Sequence, residues 1–156
     1  MNGLRELGHR LRGELEDLQT EIQAVAPLFD KVQTVGPDPI EIRAIAATLH
    51  AFYNGAERIF LLIAKTVDQQ VPDSSHWHRE LLEQMHVANN LRAAIIDDQL
   101  YQQMIDYMGF RHFFRHSYPM ELNWRVMEPL TRNLRIAHER FMHLIESYIA
   151  QGQADE

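Results

Sequence analysis

Between Leu4 and Phe29 the apolar residues Leu4, Leu7, Leu11, Leu18, Ile22, Val25 and Phe29 keep register with three- and four-residue steps. That stripe belongs to an amphipathic helix packed on one face, and it predicts helix over roughly 2–30. A strand needs alternation, and no segment of the 156 residues alternates between hairpin signals. The chain is therefore read as a series of helices, whose breaks set the architecture.

Gly36-Pro37-Asp38-Pro39 is the first break. Asp38 is placed as N-cap, Pro39 as first helical residue and Glu41 as the returning half of a capping box. The second helix then carries Ile42, Ile45, Leu49, Phe52, Ala56, Ile59, Phe60, Ile63 and Val67. It is apolar on more than one face near its end, as a central helix must be. Val71-Pro72-Asp73-Ser74-Ser75 breaks the chain again, with Ser74 or Ser75 capping a short helix whose Trp77, Leu81 and Met85 face inward.

Residues 89–96 show no period, after which Asp97 or Asp98 caps a fourth helix carrying Leu100, Met104, Tyr107, Met108, Arg111 and Phe114. Pro119 cannot continue it. The last helix starts near Asn123 and carries Met127, Leu130, Leu134, Ala137, Phe141, Leu144 and Tyr148; Pro129 is tolerable only in its first turns. The expectation is an all-α fold, an up-and-down bundle of four main helices plus a short one. One domain spans 1–150, followed by a frayed polar tail at 151–156.

The chain has no cysteine, which excludes disulfides, thiolate metal sites and a cysteine nucleophile. The longest apolar run, Ile59 to Ala64, is far too short for a membrane span, and Met1 to Glu16 is charged throughout, so a cytoplasmic protein is expected. A net charge of −7 excludes a broad basic surface for nucleic acid. Positive charge is local: Arg111, Arg115 and Arg125, with His112 and His116, stand against only Glu121 between 111 and 125.

Helical geometry puts Arg111 in line with Leu100, Met104, Tyr107 and Tyr118, on the inward stripe. A guanidinium there needs either carboxylate partners or an anionic ligand such as phosphate, and both readings stay open. His116 lies about 140° around the helix from Arg111, close enough for both to converge on a groove beside it. Glu57, inside the apolar central helix, is read as a structural ion-pair partner for Arg111 or another base. Trp77 and Trp124 are read as packing residues, and His138 and His143 receive no role.

Gly109-Phe110-Arg111-His112-Phe113-Phe114-Arg115-His116-Ser117-Tyr118 holds an Arg-x-x-x-x-His-x-Tyr string. It resembles the signature of the HEPN superfamily, and the tyrosine two places past the histidine resembles its HepT-like branch. Tyr53-Asn54-x-x-Glu57, Trp77-His78-Arg79-Glu80-Leu81-Leu82 and Leu122-Asn123-Trp124 also look like HepT-like proteins. The resemblance implies a HEPN-like bundle and a metal-independent endoribonuclease toxin acting on tRNA or mRNA, without cofactor or metal.

It makes Arg111 and His116 catalytic, with His112 supporting them and Arg115 and Arg125 as candidate RNA contacts. It further implies a homodimer with a composite site, and a minimal nucleotidyltransferase antitoxin that transfers AMP to Tyr118. The chemistry is within reach of these residues. Metal-free cleavage needs a base for the 2′-hydroxyl, a cation for the phosphorane and an acid for the leaving oxygen. Two rival readings remain at this point. One is a non-catalytic dimeric scaffold for a nucleotidyltransferase; the other is a metal-binding bundle using His112 and His116, four apart on one face.

Overall fold

The computed structural model describes residues 2–118 and 121–154, and among these it contains five α-helices and no strand. They are α1 (Asn2–Thr34), α2 (Pro39–Ile63), α3 (Trp77–His86), α4 (Asp98–His116) and α5 (Trp124–Ala154), with a π-helical turn, Ala64–Asp68, extending α2. The all-α expectation holds. No helix among the described residues is long and apolar enough to cross a membrane.

The α2 start follows from its capping chemistry. Asp38 Oδ1 accepts the N–H groups of Ile40 and Glu41 at 2.9 and 2.8 Å, and Glu41 accepts the Asp38 N–H at 3.1 Å. The helix packs against all four others. Ile45, Leu49, Phe52, Ala56, Ile59, Phe60 and Ile63 are completely buried in that core. Each large side chain so buried contributes about 1.5–3 kcal/mol. Phe52 meets Tyr107 of α4 edge-on at 5.0 Å and Phe141 of α5 at 6.2 Å, so one ring ties three helices together. Gly55 admits α1, since a Cβ there would stand 3.0 Å from Leu18 Cδ1.

Several boundaries differ from the sequence reading. α1 continues to Thr34 through Pro27, whose exposed position leaves the lost backbone bond facing solvent. α3 takes His76, not a serine, as N-cap; Ser74 instead accepts the His76 N–H at 3.0 Å and donates to Glu80 at 2.6 Å. Asp97 caps α4 by accepting from Leu100 N–H at 2.9 Å. Asn123 Oδ1 accepts the Arg125 N–H at 3.0 Å at the start of α5, and Pro129 falls in the early turns as expected. α5 remains helical through Ala154, beyond the position where a frayed tail was expected; 155–156 lie outside the described residues.

The aperiodic stretch at 89–96 has a tertiary explanation. Arg92 donates from Nε and NH2 to Asp68 at 2.8 and 2.6 Å, and both side chains are 3% exposed. Arg92 also donates to the carbonyls of Gln84, Val87 and Ala93, so the guanidinium replaces the backbone partners a helix would supply. Asp68 sits at the end of the π turn, the point where the chain leaves α2.

His138, on α5, is buried under Phe52 with no partner for its Nε2. Burial lowers its pKa below 6.5, outweighing the opposing charge of Glu139. The unfolded chain therefore takes up this proton more readily than the folded one. His138 costs nothing above pH 6.5 and subtracts stability as pH falls below it toward the folded pKa. Thermal unfolding of His138→Leu should show a shallower loss of Tm between pH 7.5 and 5 than the parent; an unchanged slope would refute this assignment.

Candidate active site

The inward stripe of α4 carries Leu100, Met104 and Tyr107 into the core, and Arg111 is the next residue along it. Its side chain is 11% exposed and faces α2. Arg111 Nε donates to Asn54 Oδ1 at 2.7 Å, and NH2 stands 3.8 Å from Glu57 Oε1. Glu57 is itself buried, and its other oxygen meets His78 Nδ1 of α3 at 2.7 Å. His78 stacks on Trp77 at 3.6 Å. Glu57 thus lies between two basic side chains. The ion pair anticipated for Glu57 and Arg111 is present, as the longer of its two contacts.

Beyond Asn54 the same face of α2 presents His50. Positions 50, 54 and 57 fall on one helical face and form a polar stripe along the central helix. The His50 ring packs against Phe114 at 4.8 Å. Its pKa is lowered first by burial, then by the charges of Arg111 and Arg115. Burial and the Glu57 carboxylate raise that of Tyr53.

His112 and His116 stand on the outer side of α4, both exposed, their rings 4.6 Å apart. His116 is exposed while Arg111 is nearly buried against α2, and among the described residues no hydrogen bond or ion pair joins the two. Arg115 and Arg125 are exposed. Nor is there, among the described residues, any group of three His, Cys, Asp or Glu side chains able to hold a metal.

Tyr118 departs from its expected place in line with the inward stripe. The helix ends at His116, Ser117 is extended (φ −119°, ψ 151°), and Tyr118 is 71% exposed. In sequence Tyr118 directly precedes Pro119, which by itself disfavours helical geometry at Tyr118. Pro119 itself lies outside the described residues. Beside this segment, between α4 and α5, an apolar groove of about 650 Å³ is lined by Phe110, Phe113, Val126 and Leu130 among others. Phe113 and Val126 are 39% and 60% exposed.

A helical bundle with Arg-x-x-x-x-His-x-Tyr at the end of its penultimate helix is a HEPN-type protein. The family model described as HepT-like protein matches residues 44–151, α2 through most of α5 including the motif, and the chain belongs to that family. No curated protein and no solved structure gives a match.

The sequence reading pairs Glu57 with Arg111 or another base, but it gives Asn54 no such role and does not single out His50. The signal for the three was the polar stripe at 50, 54 and 57.

Proposed function

We propose that this protein is a metal-independent endoribonuclease whose Arg111 stabilises the phosphorane and whose His116 moves a proton at the scissile phosphate. The observation that carries this reading is the state of Arg111. It is a nearly buried cation clamped at Nε by a neutral amide, with a carboxylate no closer than 3.8 Å, so its remaining N–H donors are oriented without being fully neutralised. Such a fork suits the non-bridging oxygens of a phosphodiester.

His116 is exposed on the outer side of α4 while Arg111 is nearly buried against α2, which favours a composite site between two copies. The exposed Phe113 and the adjoining apolar groove offer a surface for that contact. A two-fold arrangement there would bring each motif to the other. His112 supports His116 through their ring contact, and Arg115 and Arg125 are the exposed cations nearest in sequence for RNA phosphates. The exposure of Tyr118 suits its modification by a nucleotidyltransferase antitoxin. An AMP group there would set negative charge beside the site and repel RNA by the rules that govern phosphorylation.

The test is cleavage of total tRNA in excess chelator by protein shown by mass to be unmodified, compared with His116→Ala. Proton transfer by a positioned side chain contributes about 10²–10⁴-fold, so the variant should lose at least a hundredfold in rate while remaining a dimer by light scattering. An unmodified dimer that cleaves nothing would favour a scaffold role for the same fold.

A further inference from the structure

The carboxylate nearest Arg111 stops short of it. An arginine and a carboxylate free to pair close to about 2.7–2.9 Å, often through two parallel bonds. Glu57 Oε1 instead stands 3.8 Å from Arg111 NH2, although both side chains are nearly out of water, where their attraction is strongest. The other oxygen of Glu57 is committed elsewhere: Oε2 meets Nδ1 of His78, in the first turn of α3, at 2.7 Å. An ionised carboxylate only accepts, so Nδ1 is the donor. The His78 ring is fixed in turn by stacking on Trp77, with centroids 3.6 Å apart. Arg111 has a separate anchor, Asn54, at Nε. Tyr53 also faces Glu57, but burial and the carboxylate itself raise its pKa, so its hydroxyl brings no charge. Among the described residues His78 and Arg111 are the basic side chains paired with Glu57.

We propose that His78 is a positioning residue for Arg111. By holding Glu57 toward α3 it keeps that carboxylate from closing onto the guanidinium, and the NH1 and NH2 donors stay available to a phosphodiester. This rests on the nuclease reading and deepens it, since it explains why Arg111 is oriented without being neutralised. His78 touches no reacting atom and moves no proton in the reaction. Without it, the buried Glu57 loses its hydrogen bond and must find another donor. The nearest is Arg111, and a short swing of the Glu57 side chain completes the ion pair. RNA would then meet a neutralised pair where it now meets a cation, with Arg111 and His116 both still present.

The experiment compares the wild-type dimer with His78→Ala, His78→Phe, His78→Asn, Glu57→Gln, the double variant His78→Ala with Glu57→Gln, and Arg111→Ala, each shown to be folded by circular dichroism. It measures kcat and KM for RNA cleavage in excess chelator, alongside crystal structures of the wild type and His78→Ala. In His78→Ala, Glu57 should close onto Arg111 to about 2.7–2.9 Å. Its kcat should fall about tenfold or more, less than the loss of the arginine itself. His78→Phe keeps a ring on Trp77 but lacks the donor, so it should show the same loss even where alanine loosens α3. His78→Asn sets an amide N–H where Nδ1 stands and should recover most of the rate. In the Glu57→Gln background no carboxylate remains to close, so His78→Ala should cost about threefold at most there, which a merely structural role would not produce. A His78→Ala that leaves Glu57 3.8 Å from Arg111, or a kcat loss of one size with and without the carboxylate, overturns the inference. Either result leaves the nuclease reading intact, provided that Arg111→Ala is inactive. A wild type that cleaves no RNA overturns both.

Discussion

Arg111→Ala should lower kcat for RNA cleavage by about 10²–10³-fold, the loss seen when one preorganised donor to a developing oxyanion is removed. The geometry makes this larger than the loss of an ordinary surface cation. Asn54 holds Nε at 2.7 Å and Glu57 stands 3.8 Å from NH2, so the fork is aimed before substrate arrives and little reorganisation is needed. Arg111→Lys should not rescue the rate, because an ammonium cannot donate to Asn54 and two phosphate oxygens from one rigid plane. Both variants should fold, since Glu57 keeps His78 as its closer partner at 2.7 Å. Single-turnover cleavage with saturating RNA measures the effect directly. A rate within threefold of wild type in Arg111→Ala would remove the arginine from the chemistry and leave it a structural side chain.

The largest stability effect is expected far from that site. Arg92→Ala should cost about 3–5 kcal/mol, because it strands the buried Asp68 without its counter-ion. For a domain of this size each kcal/mol moves Tm by about 2–4 °C, so a fall of about 6–20 °C is expected. Replacing both partners, as in Asp68→Leu with Arg92→Met, should recover much of the loss by leaving no orphaned charge.

The pair also carries an acid signature. Burial alone would raise the Asp68 pKa, but hydrogen bonds from Arg92, Gln84 and Asn89 prevail and hold it below 3.8. Its folded value is thus depressed, so its contribution is complete above pH 3.8 and is lost as pH falls through the folded value. Denaturant unfolding of wild type and the single and double variants at pH 7 and pH 3 tests both points. A single variant as stable as wild type at pH 7 would show that the bridge contributes nothing.

Helix type and order were legible because each helix carries its own apolar period and α2 and α4 carry their own start signals. The capping box at Asp38 and Glu41 and the cap at Asp97 are local chemistry, decided within a few residues of chain. The motif was legible for the same reason, being eight consecutive residues at the end of α4 and just past it. The place of Tyr118 departs from the stripe because helical periodicity does not extend past His116, where Ser117 is extended.

What the sequence determined alone is therefore everything set by neighbours along the chain: five helices, their breaks, the inward stripe of α4 and the presence of Arg111 upon it. Which groups meet across helices was set by the packing of the helices. Asn54 is 57 residues from Arg111, Glu57 is 21 from His78 and Asp68 is 24 from Arg92. No period or cap encodes such pairs. They exist because burying the apolar faces of α2, α3 and α4 leaves these polar groups away from water, where they must satisfy one another or go unpaired.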